Sequence, residues 1–193
     1  MRSSQDPRWA AYGAAIWAFA FAVVSAYWAS GGEFGRETIA AEIAQIPLAN
    51  DPVVVWATAG LKALAGMLAL ALVRPWGRSL PQRVLVTVAR AAGLLLTLYG
   101  GANLVDHGRM VAGLRDTPKV LGEQAARWHL LLWDPVWLLG GVLFLAATQH
   151  HRARMARIEV VGEAAISDPP AFGTVTVPPS IISRLLTLYH SAS

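Results

Sequence analysis

The chain has 193 residues, of which 55% are hydrophobic and only 15% are charged. Soluble domains carry about 25% charged residues, so this composition excludes an ordinary soluble fold. The absence of cysteine excludes disulfides, thiolate metal sites and cysteine nucleophiles. The formal net charge of +4 lies mainly beside apolar runs, where basic residues contact lipid headgroups, so the sequence does not indicate a nucleic-acid partner.

Four apolar runs are long enough to cross a bilayer. A helix rises about 1.5 Å per residue, so a hydrocarbon core of about 30 Å requires about 20 residues. The first run exceeds the apolar part of a cleaved signal peptide, which has about 7–15 residues, and is interpreted as a retained span. The sequence therefore predicts an all-α, four-helix transmembrane bundle within residues 1–157, with spans at about 9–30, 52–73, 84–104 and 128–148.

Shorter elements are predicted around the spans. Asp51 followed by Pro52 is typical of an N-cap and the first residue of a helix. Residues 36–46 carry isoleucines at helical spacing, which favours a short surface helix. Residues 158–193 are rich in proline and are predicted to form a mostly disordered cytoplasmic tail, with a candidate surface helix at 181–190.

Charges in the loops predict the orientation of the bundle. Arg74, Arg78 and Arg83 lie between the second and third spans. The loop between the first two spans instead carries four acidic residues against one arginine, Arg36. By the positive-inside rule, both termini are expected in the cytoplasm of a bacterial cell, with the protein a multi-pass component of the cell membrane.

Three charged residues lie inside the predicted spans, on the faces that carry small residues. A charge in the middle of a membrane helix costs about 2.5–3.5 kcal/mol, so such residues usually have a partner or a function. Helical rise places Lys62 about 15 Å and Asp134 about 9 Å from the outer side, which predicts an ion pair between them. Arg90 is the third member of this predicted buried polar cluster.

Two structural alternatives to a functional cluster remain open. The Lys62–Asp134 pair could serve only to fix the register of the helices. Alternatively, Asp134 could cap a new helix that begins at Pro135, which would leave residues 128–133 as a separate short segment.

His107 and His129 are secondary candidates for the site, together with Asn103. The two histidines lie near the outer ends of spans three and four, at similar depth, and could ligate together. No HxxxH or CxxCH spacing supports this, so the sequence predicts no metal and no cofactor. Since no GxSxG or phosphate-binding loop occurs, it assigns no catalytic residue.

Four short motifs resemble a known family. They are Ala26-Tyr27-Trp28-Ala29-Ser30-Gly31-Gly32, Arg74-Pro75-Trp76-Gly77-Arg78, Tyr99-Gly100-Gly101-Ala102-Asn103 and Leu132-Trp133-Asp134-Pro135. As a set, over about residues 9–152, they resemble the small four-span integral membrane proteins of actinobacteria that form a domain of unknown function. The resemblance implies the fold and a membrane location, but no activity.

Three classes of function fit these observations. The first is a lipid- or small-molecule-binding or accessory membrane protein, whose partners are membrane lipids and either a partner membrane subunit or further copies of itself. The second is a membrane-embedded enzyme that acts on a lipid, by analogy with four-helix isomerases. The third is a small oligomeric transporter, which the uncharged first span disfavours. The first class is the prediction, and the sequence leans towards a non-enzymatic role while it leaves catalysis open.

Overall fold

The computed structural model describes residues 8–38, 51–119 and 121–167. Within these residues the chain is helical, and four helical stretches are long and apolar enough to cross a membrane. This confirms the all-α fold class and describes a multi-pass membrane protein. The α-helices are α1 (Trp9–Ala29), α2 (Pro52–Ala71), α3 (Gln82–Val111), α4 (Glu123–Trp128) and α5 (Asp134–Ser167).

The start of α2 follows the capping pattern of its sequence. The side chain of Asp51 accepts a hydrogen bond of 2.8 Å from the backbone N–H of Val53, and Pro52 occupies the first turn. This satisfies one of the backbone donors that a helix leaves unpaired at its start. Short 3₁₀ turns occur at Arg36–Thr38 and Pro75–Ser79.

The last two predicted spans are longer than the sequence indicates. The third helix begins two residues before Val84 and continues beyond Leu104 to Val111. The last helix continues to Ser167, so the segment predicted as a disordered tail from residue 158 begins as helix. Of the predicted surface helices, only residues 36–38 of the first lie within the described residues, and 181–190 lie outside them.

The first helix packs antiparallel against both α2 and α5. Ser25 of α1 contacts Lys62 of α2, and Phe19 covers Gly66. On its other side α1 places Trp17 against Gly140 of α5, and the Trp17 indole donates a hydrogen bond of 2.8 Å to the carbonyl of Val136. Alanines fill most of the buried face of α1, which allows this close approach.

Backbone contact also joins α3 to α5. A Cβ atom added at Gly100 would lie 2.6 Å from the backbone nitrogen of Leu138, and one added at Gly93 would lie 3.0 Å from the nitrogen of Leu145. Gly141 of α5 faces Thr97 in the same way. Small residues of α3 and α5 therefore form this helix interface, as is usual where lipid removes the hydrophobic driving force.

The two ends of the bundle differ in their charged residues. We call the end with Glu33 and Asp51 the acidic end, and the opposite end, with Arg74 and Arg83, the basic end. At the basic end the His151 ring contacts the carbonyl of Leu72 at 2.7 Å and the side-chain oxygen of Gln82 at 3.1 Å. This histidine therefore connects α5 to the end of α2 and the start of α3.

Candidate functional site

Three ionisable side chains meet at the acidic end. His107, near the end of α3, places Nδ1 2.7 Å from Oδ2 of Asp134. Nδ1 of His129 lies 3.8 Å from the other carboxylate oxygen. The two imidazole rings lie side by side, with centroids 4.9 Å apart and planes inclined by 32°. We call His107, His129 and Asp134 the His–His–Asp cluster.

A π-helical turn brings His129 and Asp134 together. In an α-helix of 3.6 residues per turn, residues five apart lie about 140° apart and point in different directions. Residues His129–Trp133 instead form a π turn, in which the backbone N–H of Asp134 bonds to the carbonyl of His129. This hydrogen bond spans five residues and brings the two side chains to one face. Such turns occur frequently at functional sites.

Pro135 gives a physical reason for the π turn. Proline has no backbone N–H, and within a helix its ring clashes with the carbonyl four residues earlier. Widening the preceding turn by one residue relieves this crowding. The alternative in which Asp134 caps a new helix is wrong, because Asp134 has helical backbone angles and its carboxylate bonds to His107.

Burial makes the carboxylate of Asp134 costly unless it is paired. The residue is only 1% exposed, compared with 12% for the His107 side chain and 19% for His129. A buried carboxylate is tolerated where hydrogen bonds or cations compensate it. His107 supplies one such bond. Nε2 of His129 is buried and has no hydrogen-bond partner among the residues that the structure describes.

Aromatic side chains pack around Trp133, the residue that precedes Asp134. The Trp133 indole donates to the hydroxyl of Thr38 at 3.2 Å, which joins the first loop to the π turn. Trp28 and Phe21 of α1 contact the Trp133 ring, with centroids 6.1 and 6.0 Å away. These contacts hold the π turn against α1, while Gly100 holds α5 against α3 through Leu138.

Lys62 has a partner other than Asp134. Its ammonium donates a hydrogen bond of 2.6 Å to the hydroxyl of Ser25 and lies 5.9 Å from the centre of the Phe21 ring. Within the described part of the chain, the ion pairs of Asp134 are with the two histidines. The predicted Lys62–Asp134 ion pair is therefore not formed, because each residue finds a nearer polar group.

The other two predicted residues lie outside the cluster. Arg90 is exposed on the surface of α3, so it is not part of a buried polar group. Asn103 is half-buried, one helical turn before His107 on the same helix. The residues that the sequence ranked second, His107 and His129, are those that the fold brings to Asp134.

These observations define a multi-pass α-helical membrane protein with a buried carboxylate–histidine cluster. Residues 18–144, more than half of the chain, match the family described as "Protein of unknown function (DUF3995)", and the chain belongs to that family. The matched segment contains all three residues of the His–His–Asp cluster. Comparisons with curated proteins and with solved structures found no match.

Proposed function

We propose that this protein is a ligand-binding protein of the bacterial cell membrane, with the His–His–Asp cluster as its binding site. The acidic end faces outward and both termini lie in the cytoplasm. The single observation that carries the proposal is the fully buried carboxylate of Asp134 between two imidazoles, one of which has an unpaired buried nitrogen. Such a group inside a membrane helix is expensive to keep without a function.

The chemistry of the cluster indicates what it binds. One carboxylate and two imidazoles offer acceptors and negative charge, and the ammonium of Lys62 bonds to Ser25 instead. A ligand that donates hydrogen bonds or carries positive charge fits this set better than a phosphate does. The cationic or hydroxyl-bearing headgroup of a lipid, or a small molecule of the same chemistry, is the proposed class of ligand.

The distribution of basic residues supports the proposed orientation. Arg74, Arg78 and Arg83 lie at the basic end, and arginines concentrate on the cytoplasmic side of membrane proteins. The chain has no native cysteine, so single cysteines can be placed at Asp116 and Ser79, both exposed. A membrane-impermeant thiol reagent added to intact cells should label the cysteine at position 116 and not that at 79. The opposite pattern would reverse the orientation.

The ligand proposal is tested by the molecules that copurify with the full-length protein. Mass spectrometry of the detergent-extracted wild type should show a bound lipid or small molecule that is depleted at least tenfold in Asp134→Asn. Asp106→Asn is the matched control, because Asp106 lies on α3 at the same end but has a side chain that is 39% exposed and paired with Arg115. If wild type and Asp134→Asn retain the same molecules, the cluster is not the binding site.

A membrane enzyme is the second candidate, and the hydrogen bond between His107 and Asp134 favours it. A carboxylate that holds one nitrogen of an imidazole leaves the other nitrogen available as a general base. In that case His107→Gln should change the lipid composition of cells that overexpress the protein, relative to the wild type. Asp106→Asn should have the wild-type composition.

A further inference from the structure

We infer that His107, His129 and Asp134 bind one divalent transition-metal ion, for which Zn²⁺ is the best match. The inference rests on the proposed function, because it identifies the cation that occupies the same three residues. One ligand atom from each residue can be chosen such that all three atoms lie within 4.8 Å of one another. Among the described residues, no other group of three histidine, aspartate or glutamate side chains meets this distance condition.

The distances in the cluster are close to those of a metal site. Zinc bonds to histidine nitrogen and carboxylate oxygen are about 2.0–2.2 Å long, so neighbouring ligands of a tetrahedral ion lie about 3.3 Å apart. The Asp134 oxygens lie 2.7 Å from His107 and 3.8 Å from His129. Adjustments of about an ångström, within the reach of side-chain rotation, convert the hydrogen-bonded arrangement into a coordinated one.

The donor types select the class of metal. Ca²⁺ and Mg²⁺ prefer sites made of oxygen ligands, whereas two imidazoles with one carboxylate suit zinc or iron. Three protein ligands leave at least one coordination position open, which a water molecule or the hydroxyl of a hydroxyl-bearing ligand can take. The metal would thus provide the positive charge that the buried Asp134 lacks and a direct bond for a hydroxyl or carbonyl oxygen.

The unpaired nitrogen of His129 supports the same inference independently of the distances. A buried ring nitrogen without a partner is unfavourable, and imidazoles that bind metals use one nitrogen for the ion and the other for a second contact. Since Nδ1 is the nitrogen of His129 that faces Asp134, Nε2 is left for the second contact, for which the described residues provide no partner. The π turn adds rigidity, because His129 and Asp134 then lie on one helical element rather than on two loops.

The test uses the full-length protein in detergent, purified through an affinity tag that contains no histidine and stripped of metal with a chelator. Zn²⁺ alone and Co²⁺ alone are then added. We expect uptake of one ion per chain and, for Co²⁺, the intense visible absorption of a site with four or five ligands. His107→Gln, His129→Gln and Asp134→Asn should each weaken binding at least tenfold.

Two controls separate this site from adventitious binding. His150 also has a buried nitrogen without a partner among the described residues, but it belongs to no group of three ligands there, so His150→Gln should bind the metal as the wild type does. Asp106→Asn should do the same. Circular dichroism melts establish that each variant is folded, and the cobalt spectrum of the wild type tests the site even if one variant does not fold.

The outcomes distinguish the metal site from the proposed ligand-binding function. Absence of stoichiometric uptake by the wild type, or equal uptake by the three cluster variants, overturns the metal site. If an organic ligand is still lost in Asp134→Asn, the proposed function stands without the metal. If the metal binds as expected but no organic ligand depends on Asp134, the metal site stands and the proposed class of ligand is wrong.

Discussion

Two buried histidine environments, one at each end of the bundle, differ in how their ring nitrogens are occupied. At the basic end, His151 uses both nitrogens, one with the carbonyl of Leu72 and one with Gln82. At the acidic end, His129 keeps one buried nitrogen without a described partner and faces a fully buried carboxylate. Each ring nitrogen of His151 thus has a polar partner, whereas Nε2 of His129 can still form a contact with another atom.

An unpaired nitrogen beside a buried carboxylate separates the candidate functional histidine from the structural one, whereas the unpaired nitrogen of His150 belongs to no such group among the described residues. A saturated polar contact stabilises the fold, and its removal leaves buried groups unpaired. An unsaturated cluster contributes less to stability than its burial costs, which is typical of sites kept for function at the expense of stability. The comparison therefore predicts opposite effects of mutation at the two ends, namely loss of stability at His151 and loss of binding at Asp134.

The largest effect should come from the contact that sets the spacing of α3 and α5 at the cluster. In Gly100→Leu the new side chain would overlap the backbone of Leu138, so we expect a loss of about 3 kcal/mol or more and no metal or ligand binding. Gly101→Leu is the matched control, because a Cβ there meets only the end of the Leu138 side chain at 4.0 Å. Thermal unfolding in detergent measures both, and equal stability of the two variants would contradict the described packing.

His151→Leu should have the next largest effect. The substitution removes the ring that lies within hydrogen-bonding distance of both the carbonyl of Leu72 and the side-chain oxygen of Gln82, and it leaves these groups without that partner. We expect a loss of about 2 kcal/mol in the free energy of unfolding, with metal and ligand binding unchanged in the folded fraction. If His151→Leu is as stable as the wild type, His151 does not stabilise the fold, and the comparison between the two ends fails.

Asp134→Asn should change stability by less than about 1 kcal/mol, because the lost charge-assisted hydrogen bond to His107 is offset by the relief of burying a carboxylate. Binding should nevertheless be lost. Unfolding of the ligand-free protein, followed by circular dichroism, measures the first quantity. A loss as large as that of His151→Leu would mean that the cluster is a structural lock like the histidine at the other end.

The smallest effect is expected for coupling between Lys62 and Asp134. Since Lys62 bonds to Ser25 instead, the effects of Lys62→Met and Asp134→Asn on unfolding should add within about 0.5 kcal/mol. A double-mutant cycle measures the coupling. A coupling above about 1 kcal/mol would support the ion pair that the sequence alone predicted.

The sequence predicts the spans well because length and apolarity act locally. Pro52 and Asp51 mark the start of α2 correctly, and the glycines of α3 and α5 identify the packed faces. The site was predicted less well, since helical depth alone paired Lys62 with Asp134. Depth in the membrane does not determine which helix a side chain faces. Lys62 faces α1, where its ammonium bonds to Ser25.

The pairing of His129 with Asp134 could not be found from ordinary helical spacing. Five residues separate them, which in an α-helix puts them on different faces. The signal that was available is Pro135, for which a helix break was left open as one alternative but a widened turn was not considered. Recognising that a proline inside a long apolar run can be accommodated by a π turn would have brought the two residues together.

The π turn also has a genetic consequence. It contains one residue more than the α-helical turn that it replaces, so deletion of a single codon, such as that of Leu131, would return the segment to α-helical spacing. His129 and Asp134 would then be four residues apart in an α-helix, which places them about 40° apart on the same face, so the two side chains would stay together. The glycine contacts of α5 with α3 lie after that point and would stay in register. A one-codon insertion into an α-helix that carried the two residues four positions apart would therefore produce the π turn without rebuilding the bundle or the cluster.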